Sequence, residues 1–208
     1  MPDIVSDIVD VYVFRRLSAR VQFLLLHRRN DVPLGNTWQS FHTQIGLTES
    51  TIAAGRRAVR ELAGLNVSEV YSADYVNEFY DDLRDVVVLA PVLAVNVSPQ
   101  APVNLGPEFR DCAWWDTNQA AARLPFAGQR WAVRHIDDIM SVGHEESQLY
   151  RLQIPATAPA PRGDSLVESG TDPDVTDQDG PEGRPDWDSD EVEGDPIHPI
   201  PERRTDVP

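Results

Sequence analysis

The side chains best suited to chemistry lie in residues 38–65, which read WQSFHTQIGLTESTIAAGRRAVRELAGL. Residues 49–63 have helical character because they are rich in Ala, Arg, Glu and Leu and contain no proline. On a helix, positions i, i+3 and i+4 share one face, so acids at that spacing can converge on one metal ion. Here that face reads Ala58, Glu61 and Leu62, which supplies one carboxylate. Taken alone, Glu61 is best interpreted as a solvated helix residue.

The same segment resembles the Nudix box, G-x5-E-x7-R-E-U-x-E-E-x-G-U, in which U is a bulky aliphatic residue. Aligning Arg57 with the box arginine satisfies six of the nine defined positions, at Glu49, Arg57, Val59, Glu61, Gly64 and Leu65. Aligning Arg60 and Glu61 with the box Arg-Glu pair satisfies only four, so we adopt the first register. Its departures from the motif are Thr43 for the first Gly, Ala58 for the first helix Glu and Leu62 for the last.

Several flanking segments are similar to the branch of the Nudix family that contains dATP and dihydroneopterin-triphosphate pyrophosphohydrolases. They are 38–40, 76–80, 89–92, 108–109 with Trp114, and 128–130. The resemblance covers about residues 8–140. It implies an α/β (α+β) fold of the Nudix type, which is an α/β/α sandwich around a mixed β-sheet.

The resemblance also implies roles for individual residues. In the family, the acids equivalent to positions 58, 61 and 62 hold Mg²⁺ against a substrate diphosphate, and the metal activates the attacking water. Glu108 corresponds to a downstream glutamate that serves as a further metal ligand or as the general base. Glu61 and Glu108 are therefore expected to hold one Mg²⁺ weakly, with Mn²⁺ as an alternative. Glu49 and Arg57 are expected to join the box loop to its helix through a bidentate ion pair.

Four further residues are candidate substrate contacts, and three of them have a simpler structural interpretation. Arg28 follows a strand and could contact a phosphate or be a solvated strand end. Phe79 could stack on a base or pack in the core. Gln129, at a predicted helix start, could contact a substrate or have a purely structural role. Trp38 belongs to the Trp-Gln-Ser sequence that precedes the box.

Apolar patterning predicts the elements that surround the box helix. Residues 9–14 and 21–26 predict a β-hairpin, and residues 67–71, 75–80, 86–97 and 109–115 predict further strands. Pro91 predicts a bulge, a bend or an edge position in its strand. Asp116 is expected to cap a short helix through Ala122. Residues 128–140 predict a final amphipathic helix with Trp131, Val133, Ile136 and Ile139 at its apolar positions.

Composition divides the chain into a predicted Nudix domain, residues 5–154, and a predicted disordered, acidic, proline-rich tail, residues 155–208. The tail has fifteen Asp and Glu against four Arg, and therefore a net charge of −11 out of −16 for the whole chain. It contains too little apolar surface to offset the entropy of ordering. Residues 1–154 have a mild net charge of −5 and no basic stripe of the kind that binds duplex nucleic acid.

Other features exclude several classes of protein or site. Cys112 is the only cysteine, which excludes a disulfide framework and a CxxC metal site. The five histidines have no metal-ligand spacing. No signal peptide or membrane span is evident, so a cytoplasmic location is the default expectation.

Three functions remain open after these exclusions. The first two are favoured over the third, and the sequence does not decide between those two. The first is weak Mg²⁺-dependent pyrophosphohydrolysis of a nucleoside triphosphate or related NDP-X compound. The alternative is a non-catalytic Nudix module that binds a small nucleoside diphosphate-containing ligand. A third hypothesis assigns the function to partner binding by the acidic tail. The oligomeric state is not predicted.

Overall fold

The computed structural model describes residues 1–17, 20–67 and 69–154. The predicted acidic tail, residues 155–208, lies outside the described residues. The described residues form eight strands and four helices. None of these helices is long and apolar enough to cross a membrane.

A single mixed sheet contains all eight strands. They are β1 Asp3–Val5, β2 Ile8–Leu17, β3 Arg20–Arg28, β4 Trp38–Gln39, β5 Phe41–Gln44, β6 Glu69–Asp81, β7 Val86–Asn96 and β8 Phe109–Trp115. The main order is β1-β7-β2-β3-β4, while β5 pairs with β2, β6 with β7 and β8 with β3. Strand β7 is parallel to β1 and β2, and the other pairs are antiparallel.

Helices cover both faces of this sheet. They are α1 Thr51–Ala63, α2 Thr117–Arg123, α3 Ala127–Ser141 and α4 His144–Gln148. One core cluster joins α1 to strand residues such as Val11 and Val95. A second cluster joins α2 and α3 to the neighbouring residues Tyr12 and Ala94, which point to the opposite face. The predicted α/β/α sandwich with a mixed sheet is therefore confirmed.

The box helix α1 has defined ends and lies close to the sheet. Its N-cap is Ser50, whose hydroxyl accepts a hydrogen bond from the Ala53 N–H at 3.1 Å. Its C-cap is Gly64, which has the left-handed φ of 66°. Gly55 is buried where a Cβ would lie 3.0 Å from Leu93 Cδ1. The close approach of the helix to β7 explains why glycine occupies a helix interior.

Some elements differ from the sequence predictions. The two strands predicted at 67–71 and 75–80 are one strand, β6, whose register shifts between Ser72 and Val76. Pro91 pairs with Val76, so the irregularity predicted at this proline lies in the opposing strand. The apolar role predicted for Trp131 is wrong, because its side chain is 61% exposed. Strand β1 and helix α4 are short elements that the sequence analysis missed.

Candidate functional site

A bidentate ion pair joins the loop before α1 to the helix. Arg57 Nε donates to Glu49 Oε1 at 3.0 Å, and Arg57 Nη2 donates to Glu49 Oε2 at 2.9 Å. Arg57 Nη2 also donates to the Gln44 carbonyl at 2.9 Å. In return, Glu49 Oε2 accepts a hydrogen bond from the Gly46 N–H at 3.2 Å. One carboxylate and one guanidinium thus connect β5, the loop and the helix.

The ion pair also changes the acidity of its members. The hydrogen bond from Arg57 lowers the pKa of the Glu49 carboxyl, and burial opposes that shift. The hydrogen bond to Glu49 raises the pKa of Arg57. Both groups are therefore charged at neutral pH, which favours strong charge-assisted hydrogen bonds.

Thr43 replaces the first glycine of the Nudix motif without backbone strain. It lies within β5, and it is not among the described residues with a left-handed φ, which are Leu34, Asn36, Asp74, Asp85 and Gly64. Its hydroxyl lies 3.4 Å from Arg57 Nη1. The loop therefore accommodates a β-branched residue at this position.

The face of α1 that carries metal ligands in the Nudix motif is largely apolar. Ala58 is 2% exposed, and Leu62 packs against the core cluster under α1. Glu61 is 54% exposed at its side chain, and its Oε2 lies 3.3 Å from Arg57 Nη1. Among the described residues, no group of three or more His, Cys, Asp or Glu side chains could hold a metal ion. A Mg²⁺ site built from three box carboxylates does not fit the donors present here.

Glu108 lies near the C-terminal end of α1. The segment before it is tied to the helix, since the Asn104 N–H donates to the Ala63 carbonyl at 2.8 Å and the Gly106 N–H to the Leu62 carbonyl at 2.9 Å. A Cβ on Gly106 would lie 3.0 Å from Glu108 Oε2 and 3.5 Å from the Glu61 carbonyl oxygen. These two distances place the Glu108 carboxylate within about 6.5 Å of the Glu61 backbone.

Arg28 belongs to the same side of the sheet. Its guanidinium lies 5.6 Å from the centre of the Phe109 ring, and Phe109 is part of the core under α1. Its Nε is buried and makes no hydrogen bond within the described structure. Arg28 therefore has an unused N–H donor of the kind that binds a phosphate oxygen.

The remaining predicted contacts lie on the opposite face of the sheet. Trp38 packs with the α3 core and stacks on His27 at 4.5 Å between ring centres. Phe79 follows Asn77 on the same face of β6, and its side chain is 42% exposed. Gln129 is buried in the first turn of α3. The structure therefore separates these three residues from the box helix.

A cluster of buried polar side chains lies on this opposite face, at the start of α3. Asn77 Nδ2 donates to Asp10 Oδ2 at 2.8 Å, and Gln129 Nε2 donates to Gln39 Oε1 at 3.3 Å. Ser40 is also buried, and Gln129 Oε1 has no partner within the described residues. We call these five residues the polar cluster. Burying such groups without full hydrogen bonding costs about 1–3 kcal/mol each, so the cluster is a candidate ligand site.

Packing and burial set the properties of the polar cluster. A Cβ on Gly128 would overlap Asn77 Oδ1, so glycine is required where α3 begins. Burial raises the pKa of the Asp10 carboxyl, while the hydrogen bond from Asn77 and the charge of His42 oppose that shift. Burial and then the Asp10 charge raise the pKa of Tyr12 well above its ordinary value. Of these five residues, sequence reasoning named only Gln129 as a candidate ligand contact, although Gln39, Ser40 and Asn77 lie in segments that it singled out for their resemblance. Asp10, in the apolar run of β2, was a visible signal that it did not use.

Strand β5 connects the two regions. It pairs only with β2 among the described strands. His42 is exposed and pairs with Asp10, whereas the next residue, Thr43, contacts Arg57 of the box helix. Strand β5 therefore presents one residue toward the polar cluster and the next toward the box helix.

Comparison with solved structures identifies the fold. A protein described as a NUDIX hydrolase from Listeria monocytogenes is 18% identical with a TM-score of 0.58, covering 72% of this chain and 100% of that one. The E. coli dihydroneopterin triphosphate pyrophosphohydrolase is 18% identical with a TM-score of 0.53, covering 64% and 98%. The NUDIX domain of Shewanella oneidensis NrtR, solved with ADP ribose, is 14% identical with a TM-score of 0.52, covering 67% and 89%. This chain has the Nudix fold.

Sequence comparison adds less. No family model matches the chain. The chain is 33% identical over 128 residues to an octanoyltransferase from Myxococcus xanthus. That match covers 61% of this chain but only 35% of the relative, so the chain spans about a third of that protein's length.

Proposed function

We propose that this domain binds a small nucleoside diphosphate-containing molecule and does not hydrolyse it. The observation that carries the proposal is the state of the box face. Its one remaining carboxylate, Glu61, is paired with Arg57, and its neighbours are the buried Ala58 and the core residue Leu62. By contrast, the Glu49–Arg57 ion pair that joins the box loop to α1 has both of its hydrogen bonds.

The polar cluster supports the binding half of the proposal. A nucleobase presents donors and acceptors at its edge and an apolar face, so it suits a site with buried polar groups beside an exposed aromatic ring. Asp10, Asn77 and the free Gln129 Oε1 supply the polar groups, and Phe79 supplies the ring. A Nudix domain solved with ADP ribose shows that the fold can hold a ligand of this class.

Arg28 supports the placement of the diphosphate. A guanidinium is well matched to phosphate oxygens, and the Arg28 Nε–H is not used within the described structure. The diphosphate would extend past Thr43 toward the Arg28 side chain, which lies beside the Phe109 ring.

Thermal unfolding in EDTA tests the proposal, with ADP ribose and dATP as probes. At one hundred times Kd, a bound ligand should stabilise the domain by about 2.7 kcal/mol and raise Tm by about 5–10 °C. Arg28→Gln should reduce the shift, and Arg134→Gln, an exposed arginine on α3, should leave it unchanged. No shift with any nucleotide would refute metal-independent binding.

Weak Mg²⁺-dependent pyrophosphohydrolysis of the same ligand class is the second candidate. The position of Glu108 favours it, because a second carboxylate lies near the end of α1 and Mg²⁺ needs only one or two beside substrate phosphates. Phosphate release from a panel of nucleoside triphosphates with Mg²⁺ or Mn²⁺ tests this candidate against Glu61→Gln. Equal release by both proteins would eliminate it, and release that only the wild type shows would replace the first proposal.

A further inference from the structure

A polar cavity lies on the outer face of α1, away from the face that carries Ala58, Glu61 and Leu62. Its volume is about 280 Å³, and its lining includes Arg56, Arg57, Arg60 and Asn66. Positions 56 and 60 share a face because they are four residues apart. Ala58 and Leu62, which contact the core, lie on another face of the same helix. Neither Arg56 nor Arg60 corresponds to a defined position of the box motif.

The cavity carries uncompensated positive charge. Glu49 is the one acidic lining residue, and Arg57 already holds it in a bidentate ion pair. Arg56 and Arg60 form no ion pair with any described carboxylate. Two guanidiniums without an ion pair, in a chain of net charge −16, create a local field that attracts anions.

Arg56 is held ready for a ligand. Its Nη2 donates to the Val67 carbonyl at 3.2 Å, which anchors the side chain across the cavity. Its Nε is buried and has no partner among the described residues. Arg60, one turn further along the helix, is exposed. The anchored Arg56 thus provides position, and the exposed Arg60 provides a second donor group.

We propose that this cavity, formed by Arg56, Arg60 and Asn66, is an anion site for a phosphate or diphosphate group. Planar guanidiniums bind tetrahedral oxyanions through paired N–H donors. The volume is adequate for a diphosphate and small for a whole dinucleotide. The anion site is independent of the proposed nucleotide site, because it uses none of the residues assigned to that site.

Calorimetric titration of the full-length protein with inorganic pyrophosphate, at constant ionic strength and in EDTA, tests the site. We expect saturable binding that Arg60→Gln weakens at least tenfold. Arg60 is exposed, so this variant should fold normally. Arg56→Gln should weaken binding as strongly. The matched control Arg134→Gln removes one exposed charge from α3 and should leave Kd within a factor of two.

A fourth variant, Arg28→Gln, distinguishes this anion site from the proposed nucleotide site. If Arg28→Gln abolishes pyrophosphate binding while Arg60→Gln does not, the anion binds at Arg28 and the proposal is wrong. Equal losses in Arg60→Gln and Arg134→Gln would indicate a general charge effect and would also overturn it. Absence of saturable pyrophosphate binding would also overturn the proposal. It would not affect the separate proposal that a nucleotide binds at the polar cluster.

Discussion

On the box face of α1, apolar side chains occupy two positions where the Nudix motif has carboxylates, whereas across the sheet polar side chains are buried in the core. Ala58 and Leu62 have no polar side-chain atoms, so their burial carries no desolvation penalty and provides no metal ligand. Asp10 and Asn77 are costly to bury and offer hydrogen bonds to a ligand. This contrast underlies the proposal that the domain binds its ligand without hydrolysing it.

The largest expected effect comes from restoring the box face. Ala58→Glu with Leu62→Glu would place three carboxylates at positions 58, 61 and 62, on one helix face. If recognition is intact, the double variant should acquire Mg²⁺-dependent pyrophosphate release that the wild type lacks. Ala58 is buried, so the variant should also lose about 2 kcal/mol of stability. Product assays and urea unfolding measure the two effects.

The polar cluster should be sensitive to a single methyl group. Gly128→Ala would place a Cβ against Asn77 and break its hydrogen bond to Asp10. Overpacking together with the lost bond should lower the free energy of unfolding by about 3 kcal/mol. Gly143→Ala is the control, because its Cβ would have its nearest neighbour at 3.5 Å. Equal stability of both variants would contradict the packing described for the cluster.

The contribution of the Glu49–Arg57 ion pair to stability should depend on pH. Glu49 has a lowered pKa in the folded protein, against an ordinary value of 4.5. Its ionised form therefore stabilises the fold above about pH 4.5, and that contribution is lost as the pH falls through the lower, folded-state pKa. Glu49→Gln should cost about 1.5 kcal/mol at pH 7 and nothing at the acid end. Unfolding curves from pH 3 to pH 7 that stay parallel would contradict this role.

The smallest effect is expected at Asp10, and it has the opposite sign. Burial raises its pKa above the ordinary 3.8, so the folded state binds the proton more tightly and the fold loses stability as the pH rises through that range. Asp10→Asn should therefore gain about 1 kcal/mol at pH 7 and nothing well below pH 3.8. The same variant should weaken nucleotide binding. A gain in stability without a loss of binding would remove Asp10 from the ligand site.

The sequence was most informative where local chemistry determines local structure. Runs rich in β-forming residues identified β2 and β3, and the composition of residues 49–63 identified α1. Strand β1 was missed because three residues carry no readable pattern, and it forms only by pairing with the distant β7. Trp131 was misplaced because a helical pattern does not specify where its apolar face stops.

The box residues were predictable from spacing, but the polar cluster was not. Asp10 and Asn77 are 67 residues apart, and only the pairing of β2 and β6 with β7 brings them together. The need for glycine at position 128 depends on the Asn77 side chain that lies against it. Such requirements arise from tertiary contacts, which a single sequence does not display.

Calorimetric titration of the wild-type protein with ADP ribose, once in EDTA and once in Mg²⁺, tests the central claim most directly. The account predicts saturable binding in both buffers, with Kd values within a factor of three and no heat from slow turnover. Binding that appears only with Mg²⁺, or a sustained heat of hydrolysis that Glu61→Gln abolishes, would contradict it.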